Sequence, residues 1–416
     1  MKCLVDKLTK LKEEISFVHG NLLVLIISWI FFHFVSSMTF PYESLYIKAL
    51  GASAFVIGLI YALGQIVLFV SRIMGGYIAD RYGRRDIIVV MTFGIAFSYV
   101  FYALAPDWRL IAIGIIFSNL CLLYQPALQA VTADSLPPEK RGLGYAMTNV
   151  FPAIPAIFAP LLARELIKYY GFLTGMRLAY WVAVLGSLGA AIIRLLGLKE
   201  TLKTRKKLKV RELLLDFKKS VIETFDSWRV MSKQLKIFAT ILLISLFEEP
   251  IFHIFMSLYA VDVIGITKPD WAFLSVVWSS VTIIVGLPLG KIVDVIGRKK
   301  SLVLTYIIWL PLTIYFILCR SLVELILIFG LFAFGDSLFI PSTQALIADL
   351  TPREIRGRIM TIIGNLNLVA AALASIIAGF LYNLNPTLPF VVCIGTDVLI
   401  LLLILTLLKE PMRREI

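Results

Sequence analysis

Twelve apolar runs recur along the chain, separated by short polar or basic stretches. A helix needs roughly 20 apolar residues to cross a hydrocarbon core. On that scale the runs fall at 21–46, 54–79, 87–105, 108–130, 143–168 and 177–197, then at 237–261, 270–291, 301–319, 321–345, 358–383 and 386–408. Unpaired backbone cannot face lipid and nothing in the pattern suggests a closed barrel, so all twelve are predicted to be helices. The interval from Leu198 to Lys236 is different. It is polar and basic, with Arg205-Lys206-Lys207-Leu208-Lys209, and Leu213, Leu214, Phe217, Val221 and Phe225 recur between the charges at helical spacing. This predicts an amphipathic surface helix joining two six-helix halves. The expected organisation is a tail (1–20), an N-terminal bundle (21–197), a basic linker (198–236), a C-terminal bundle (237–408) and a short tail (409–416).

Composition agrees with a membrane setting: 59% of the 416 residues are hydrophobic and only 16% are charged, against roughly a quarter charged in soluble domains. The formal charge of +13 does not point to nucleic acid. Most Lys and Arg lie in the termini and in alternate loops, the positive-inside pattern, which predicts cytoplasmic termini in a cell membrane. The first twenty residues include Lys7, Lys10, Lys12, Glu13 and Glu14, which read as an uncleaved tail and not a secretory signal. Cys3, Cys121, Cys319 and Cys393 form no CxxC pair, so no metal site or disulfide framework is expected. With three His, no nucleophile–base spacing and no GxxxxGK[ST] loop, neither an enzyme nor an ATP-driven pump is expected, and no cofactor.

Two motifs are repeated. Gly76-x-x-x-Asp80-x-x-Gly83-Arg84-Arg85 follows the second run, and Gly290-x-x-x-Asp294-x-x-Gly297-Arg298-Lys299 follows the eighth. Pro126-x-x-Gln129-x-x-x-Ala133-Asp134 leads to Arg141-Gly142, and Pro341-x-x-Gln344-x-x-x-Ala348-Asp349 leads to Arg356-Gly357 at nearly the same interval. Two motifs displaced by one interval in matching helices mark a duplicated chain.

Over nearly its whole length the sequence resembles the major facilitator superfamily. The carriers of that resemblance are the twelve spans, the central basic loop and G-x-x-x-D-x-x-G-R-R between spans two and three, with its degenerate copy between spans eight and nine. The resemblance implies an all-α membrane fold of two pseudosymmetric six-helix bundles, a central solute site and alternating access by rocking. It also implies a latch, in which Asp80 docks near the start of the eleventh span at Gly357 and Asp294 near the start of the fifth at Gly142. Gly76, Gly83, Arg84, Arg85, Asp134, Arg141, Gly297, Arg298, Lys299, Asp349 and Arg356 are its other members. Two departures stand out. Span four has no Arg around Ile113 to Leu123, and span five has Ala159-Pro160-Leu161-Leu162-Ala163 after Pro152 and Pro155. The signatures of the drug-antiporter subclass are therefore missing, although a bent, closely packed span five is expected.

In similar proteins spans one, four, seven and ten line the cavity. Each has a polar residue near its midpoint here: His33, Asn119, Glu248 with Glu249, and Asp336. An ionisable group in hydrocarbon costs at least about 2.5–3.5 kcal/mol, so each requires a role. Glu248 and Glu249 project about 100° apart, which turns one to the cavity and the other to a neighbouring helix; His253 lies on a similar face. Glu248 or Glu249, with Asp336, is expected to bind a proton or a cationic part of the solute, the alternative being an interhelical hydrogen-bond pair. Arg72 either snorkels or pairs with a cavity acid. Glu43 reads as an exposed rim residue, and Asp397, in span twelve, as an inward hydrogen-bonding group without a function. Trp and Tyr read as packing or interface anchors. The functional expectation is a monomeric, probably-coupled class best described as a proton-linked secondary transporter of a small neutral or cationic, fairly apolar solute, an exporter before a nutrient importer. A sugar or organic-solute uniporter or symporter, and a non-transporting sensor on the same fold, are the alternatives.

Overall fold

The computed structural model describes residues 17–81, 83–202, 231–352 and 356–410. The expected linker helix, most of the N-terminal tail and the last six residues lie outside the described residues. Twelve helices are long and apolar enough to cross a membrane: α1 (Gly20–Ala49), α2 (Ala54–Arg81), α3 (Arg85–Ala103), α4 (Trp108–Asp134), α5 (Pro138–Tyr170), α6 (Phe172–Gly197) and α7 (Lys233–Ile264). They continue with α8 (Trp271–Ile296), α9 (Arg298–Leu318), α10 (Leu322–Leu350), α11 (Arg356–Leu384) and α12 (Leu388–Thr406). No strand occurs among the described residues.

Proline breaks the helices where the function-bearing residues lie. Within α1 the backbone tightens to a 3-10 turn over Phe40–Tyr42 before resuming at Glu43–Ala49. In α7 the helix Lys233–Pro250 widens into π-type turns over Ile251–Phe255. Pro250 lacks an N–H and crowds the carbonyl one turn back, and wide turns of this kind often mark functional sites. Span five is bent as expected, with Arg141–Ala156 and Ala159–Tyr170 as separate helical pieces.

The two halves meet most extensively along α2 and α11, and also where α5 crosses α8. The α2–α11 contact is backbone to backbone: a Cβ on Gly58 would lie 2.2 Å from the Ser375 carbonyl oxygen, and one on Gly379 would lie 2.7 Å from that of Ala54. Ser44 and Ser257 share a hydrogen bond of 2.7 Å, Trp271 Nε1 donates to the Pro41 carbonyl at 2.8 Å, and Lys48 pairs with Asp262. Lys268 Nζ sits 4.1 Å from the ring centre of Phe172. In an up-and-down bundle all these residues fall at the end opposite the Gly83 and Gly297 loops. The conformer is sealed at that far end.

Candidate functional site

A cavity of about 460 Å³ opens in the C-terminal half. Its walls come from α7, α8, α9, α10 and α12, and the N-terminal half contributes Phe40 and Pro41. The expected four-helix lining by spans one, four, seven and ten is thus corrected, because the bend of α7 at Pro250 and the aromatic side chains of α8 and α10 close the space within one bundle.

Four carboxylates face this cavity: Glu248 and Glu249 on α7, Asp336 on α10 and Asp397 on α12. The lining holds one His, His253, and no Lys or Arg among the described residues. Glu249 is open to the cavity and Asp336 is half-buried. Glu248 turns away, is 4% exposed, and accepts a hydrogen bond from Thr396 Oγ1 of α12. This is the division between adjacent glutamates that the helical geometry requires. The His253 ring centre lies 6.1 Å from that of Phe40.

Aromatic rings make up much of the rest of the wall. Trp271 and Trp278 meet Phe329 edge-on with ring centres 5.4 and 5.7 Å apart, and Phe252 meets Phe332 at 5.5 Å. Trp309 packs on Phe339 at 5.3 Å. A Cβ at Gly335 would lie 2.2 Å from Trp309 Nε1, so the glycine beside Asp336 makes room for that indole. Aromatic faces carry partial negative charge and attract cations. Carboxylates among such faces make a pocket for a cation with an apolar body.

The remaining expected site residues lie elsewhere. Asn119 donates to its own helix at Ile115 O (2.9 Å), and Arg72 Nε donates to Gln125 Oε1 at 3.2 Å. His33 is exposed and does not line this cavity. Glu43 is not a rim residue: the helix resumes after Pro41 and carries it into the bundle, where it accepts from Tyr61 Oη at 2.7 Å. Asp397, given no function from the sequence, is 1% exposed and belongs to the cavity wall. A further buried charge was not anticipated. Arg194 of α6 is fully buried, donates to Ser28 Oγ (3.0 Å) and Thr92 Oγ1 (2.8 Å), and lies against the rings of Phe32 and Tyr124. Its place one turn from the end of an apolar run disguised it as a flanking residue.

The repeated motifs come together pairwise. Arg84 pairs with Asp134 at 2.5 Å and Arg298 with Asp349 at 3.2 Å. Gly83 and Gly297 take φ of +112° and +96°, a region that favours glycine. Behind each turn stands a glutamate. Glu200 accepts from the backbone N–H of Arg84 and Arg85, and Glu410 from those of Arg298 (2.7 Å) and Lys299 (2.9 Å). These carboxylates cap the N-termini of α3 and α9, where the helix dipole favours an anion. Arg85 Nε also donates to Leu198 O at 2.8 Å and Lys299 Nζ to Leu405 O at 3.2 Å. Asp80 and Arg141 are exposed. Asp294 lies 3.7 Å from Arg298, and Arg356 donates to Ala348 O at 2.6 Å. Gly76, Gly142 and Gly357 have open space around them. In this conformer the motif residues' described partners therefore belong to their own half.

Burial alone would raise the Glu200 carboxyl, but N–H donors from Leu202, Arg84, Arg85 and Thr201 hold it below the usual carboxylate range. A lowered folded value means stability that is present above the unfolded value and lost as pH falls through the folded one. Glu200→Ala is expected to lower the thermal midpoint by a few degrees at neutral pH, with the difference from wild type vanishing in acid. Thermal unfolding across pH in detergent checks this.

Twelve helices in two pseudosymmetric bundles, with a solute-sized cavity at the bundle core, define a secondary-transporter class of membrane protein. Residues 25–285 and 238–415 match the model of the Major Facilitator Superfamily. The chain belongs to that family. It is 26% identical over 377 residues to the uncharacterized MFS-type transporter MJ1317 of Methanocaldococcus jannaschii, covering 85% of this chain and 86% of the relative. It is 25% identical over 337 residues to the multidrug resistance protein MdtG of Enterobacter lignolyticus, covering 78% and 77%. Among solved structures, the peptide transporter POT in complex with sulfate superposes with a TM-score of 0.74 at 15% identity, covering 93% of this chain and 94% of that one. The nucleoside transporter NupG superposes with a TM-score of 0.73 at 15% identity, covering 94% and 100%. These superpositions establish the fold.

Proposed function

We propose that this chain is a proton-coupled exporter of small, apolar organic cations, with both termini in the cytoplasm. The observation that carries the reading is the cavity itself, where four carboxylates and a wall of Trp and Phe converge without Lys or Arg in the described lining. Asp336 and Glu249, on opposite walls, take the positive group, and Trp271, Trp278 and Trp309 take the apolar body. Similarity to MdtG supports the substrate class. A sugar site would call for side-chain amides, and the polar lining here is mainly acidic.

The far-end seal makes this the inward-facing member of the cycle. Exchange of that seal for one at the motif loops gives alternating access. In the opposite conformer Asp80 meets the start of α11 and Asp294 the start of α5. The Arg84–Asp134 and Arg298–Asp349 pairs, with the Glu200 and Glu410 caps, keep each half rigid while it rocks.

Proteoliposomes with an entrapped pH dye test the function with a panel of lipophilic amines, quaternary cations, sugars and organic acids. Proton movement with the cations and silence with sugars and acids is expected. Silence with every cation, or proton movement driven by a sugar, overturns the reading.

A further inference from the structure

Asp397 and Glu248 form a unit distinct from the acids that face the solute. Glu248 and Asp397 come from different helices, α7 and α12, and are 4% and 1% exposed. Their carboxyls are in hydrogen-bond contact with each other. Thr396, the neighbour of Asp397, spends its hydroxyl proton on Glu248. Asp397 Oδ1 is left buried without a donor among the described residues. Two carboxylates cannot both accept in one hydrogen bond, and two adjacent negative charges in a low dielectric repel strongly. One proton placed between them supplies the missing donor and removes one charge.

The surroundings supply no other charge to do this. From α9, Tyr306 faces the pair and donates its hydroxyl to Ser245 Oγ at 2.7 Å. From α12 there is the buried thiol of Cys393. Across the cavity stand Asp336 of α10 and Glu249, with His253 further along α7. α11, which packs along α7, has no titratable side chain between positions 358 and 382.

The geometry points to Glu248 and Asp397 as a proton-sharing pair that stores the coupling proton, while Asp336 and Glu249 hold the solute cation. This rests on the proton-coupled reading above and divides its labour. A cation arriving between Asp336 and Glu249 adds positive charge beside the pair. That charge favours the doubly ionised pair, so the shared proton leaves its carboxyl O–H for water as the cation binds. Solute and proton thus compete through charge at two neighbouring places and need not occupy the same oxygen atoms. By linkage, release of one proton per cation makes affinity rise about tenfold per pH unit over the pair's titration range.

The test uses the full-length protein in detergent, with tetraphenylphosphonium as the probe cation. Its dissociation constant is measured across pH, and proton release on binding is followed in weak buffer. Wild type is expected to release a proton and show the rising affinity. Asp397→Asn and Glu248→Gln are expected to bind with an affinity nearly flat in pH and without proton release. Asp397→Glu restores the slope, which a merely structural role for the residue would not predict. If wild type binds the probe with the slope and both neutral variants keep it, the pair is not the proton store and the inference falls alone. If wild type fails to bind, or binds without releasing a proton, the proton-coupled reading falls and takes the pair with it.

Discussion

Asp336→Asn is expected to weaken tetraphenylphosphonium binding by about 30-fold or more while leaving the protein folded. The aspartate lies in the middle of α10, half-buried, with Trp309 packed beside it over Gly335 and Phe332 nearby. A carboxylate in such a wall meets a cation in a medium far less polar than water. Removing one partner of a desolvated charge pair costs about 2–5 kcal/mol, and the lower figure is already about 30-fold in affinity. Asn has the same shape, so packing at Gly335 is undisturbed and the loss reports charge. Glu249 remains opposite and keeps residual binding measurable. Equilibrium binding by isothermal calorimetry decides it. An affinity within twofold or so of wild type would mean that the cation does not use α10.

The second large effect is expected from Gly58→Val. The seal between α2 and α11 depends on backbone contact, with space for no side-chain atom: a Cβ at Gly58 falls 2.2 Å from the Ser375 carbonyl oxygen and 3.2 Å from Gly379 Cα. Neither atom belongs to a flexible side chain, so the helices must part. Overpacking of this kind costs about 1–3 kcal/mol, and more when backbones must separate. That cost falls on the conformer closed at the far end, and a conformer open there escapes it, so the population shifts towards the open form. With the native cysteines replaced and a Ser279→Cys probe on the cavity wall, a membrane-impermeant thiol reagent added from the far side should label faster by about tenfold. Net transport should fall at the same time. Unchanged labelling and unchanged transport would place the seal elsewhere.

Much of this molecule was legible before its coordinates. Lipid leaves only helices as an option for long apolar runs, so each of the twelve spans was fixed to within a few residues at most ends. The duplicated motifs were likewise sound guides: Arg84 with Asp134 and Arg298 with Asp349 are pairs of the very residues that repeat. Orientation within a helix was harder to read. Sequence spacing separated Glu248 from Glu249 but could not say that α12 would stand behind Glu248, and so Asp397 had no role. Asn119 and Arg72, equally polar and equally central, are satisfied within the N-terminal half. The Trp residues read as packing, because nothing local in the sequence distinguishes an indole against lipid from one lining a cavity. Glu43 was misplaced for a different reason: Pro41 marks a local tightening, with the helix continuing beyond it.

The most direct test of the account is accumulation of radiolabelled tetraphenylphosphonium in proteoliposomes with an acidic lumen. The account predicts uptake driven by the pH gradient, discharge when an ionophore collapses that gradient, and little uptake by an Asp336→Asn/Glu249→Gln double variant. Uptake that ignores the gradient, or that survives loss of both acids, would contradict proton-coupled cation transport through this cavity.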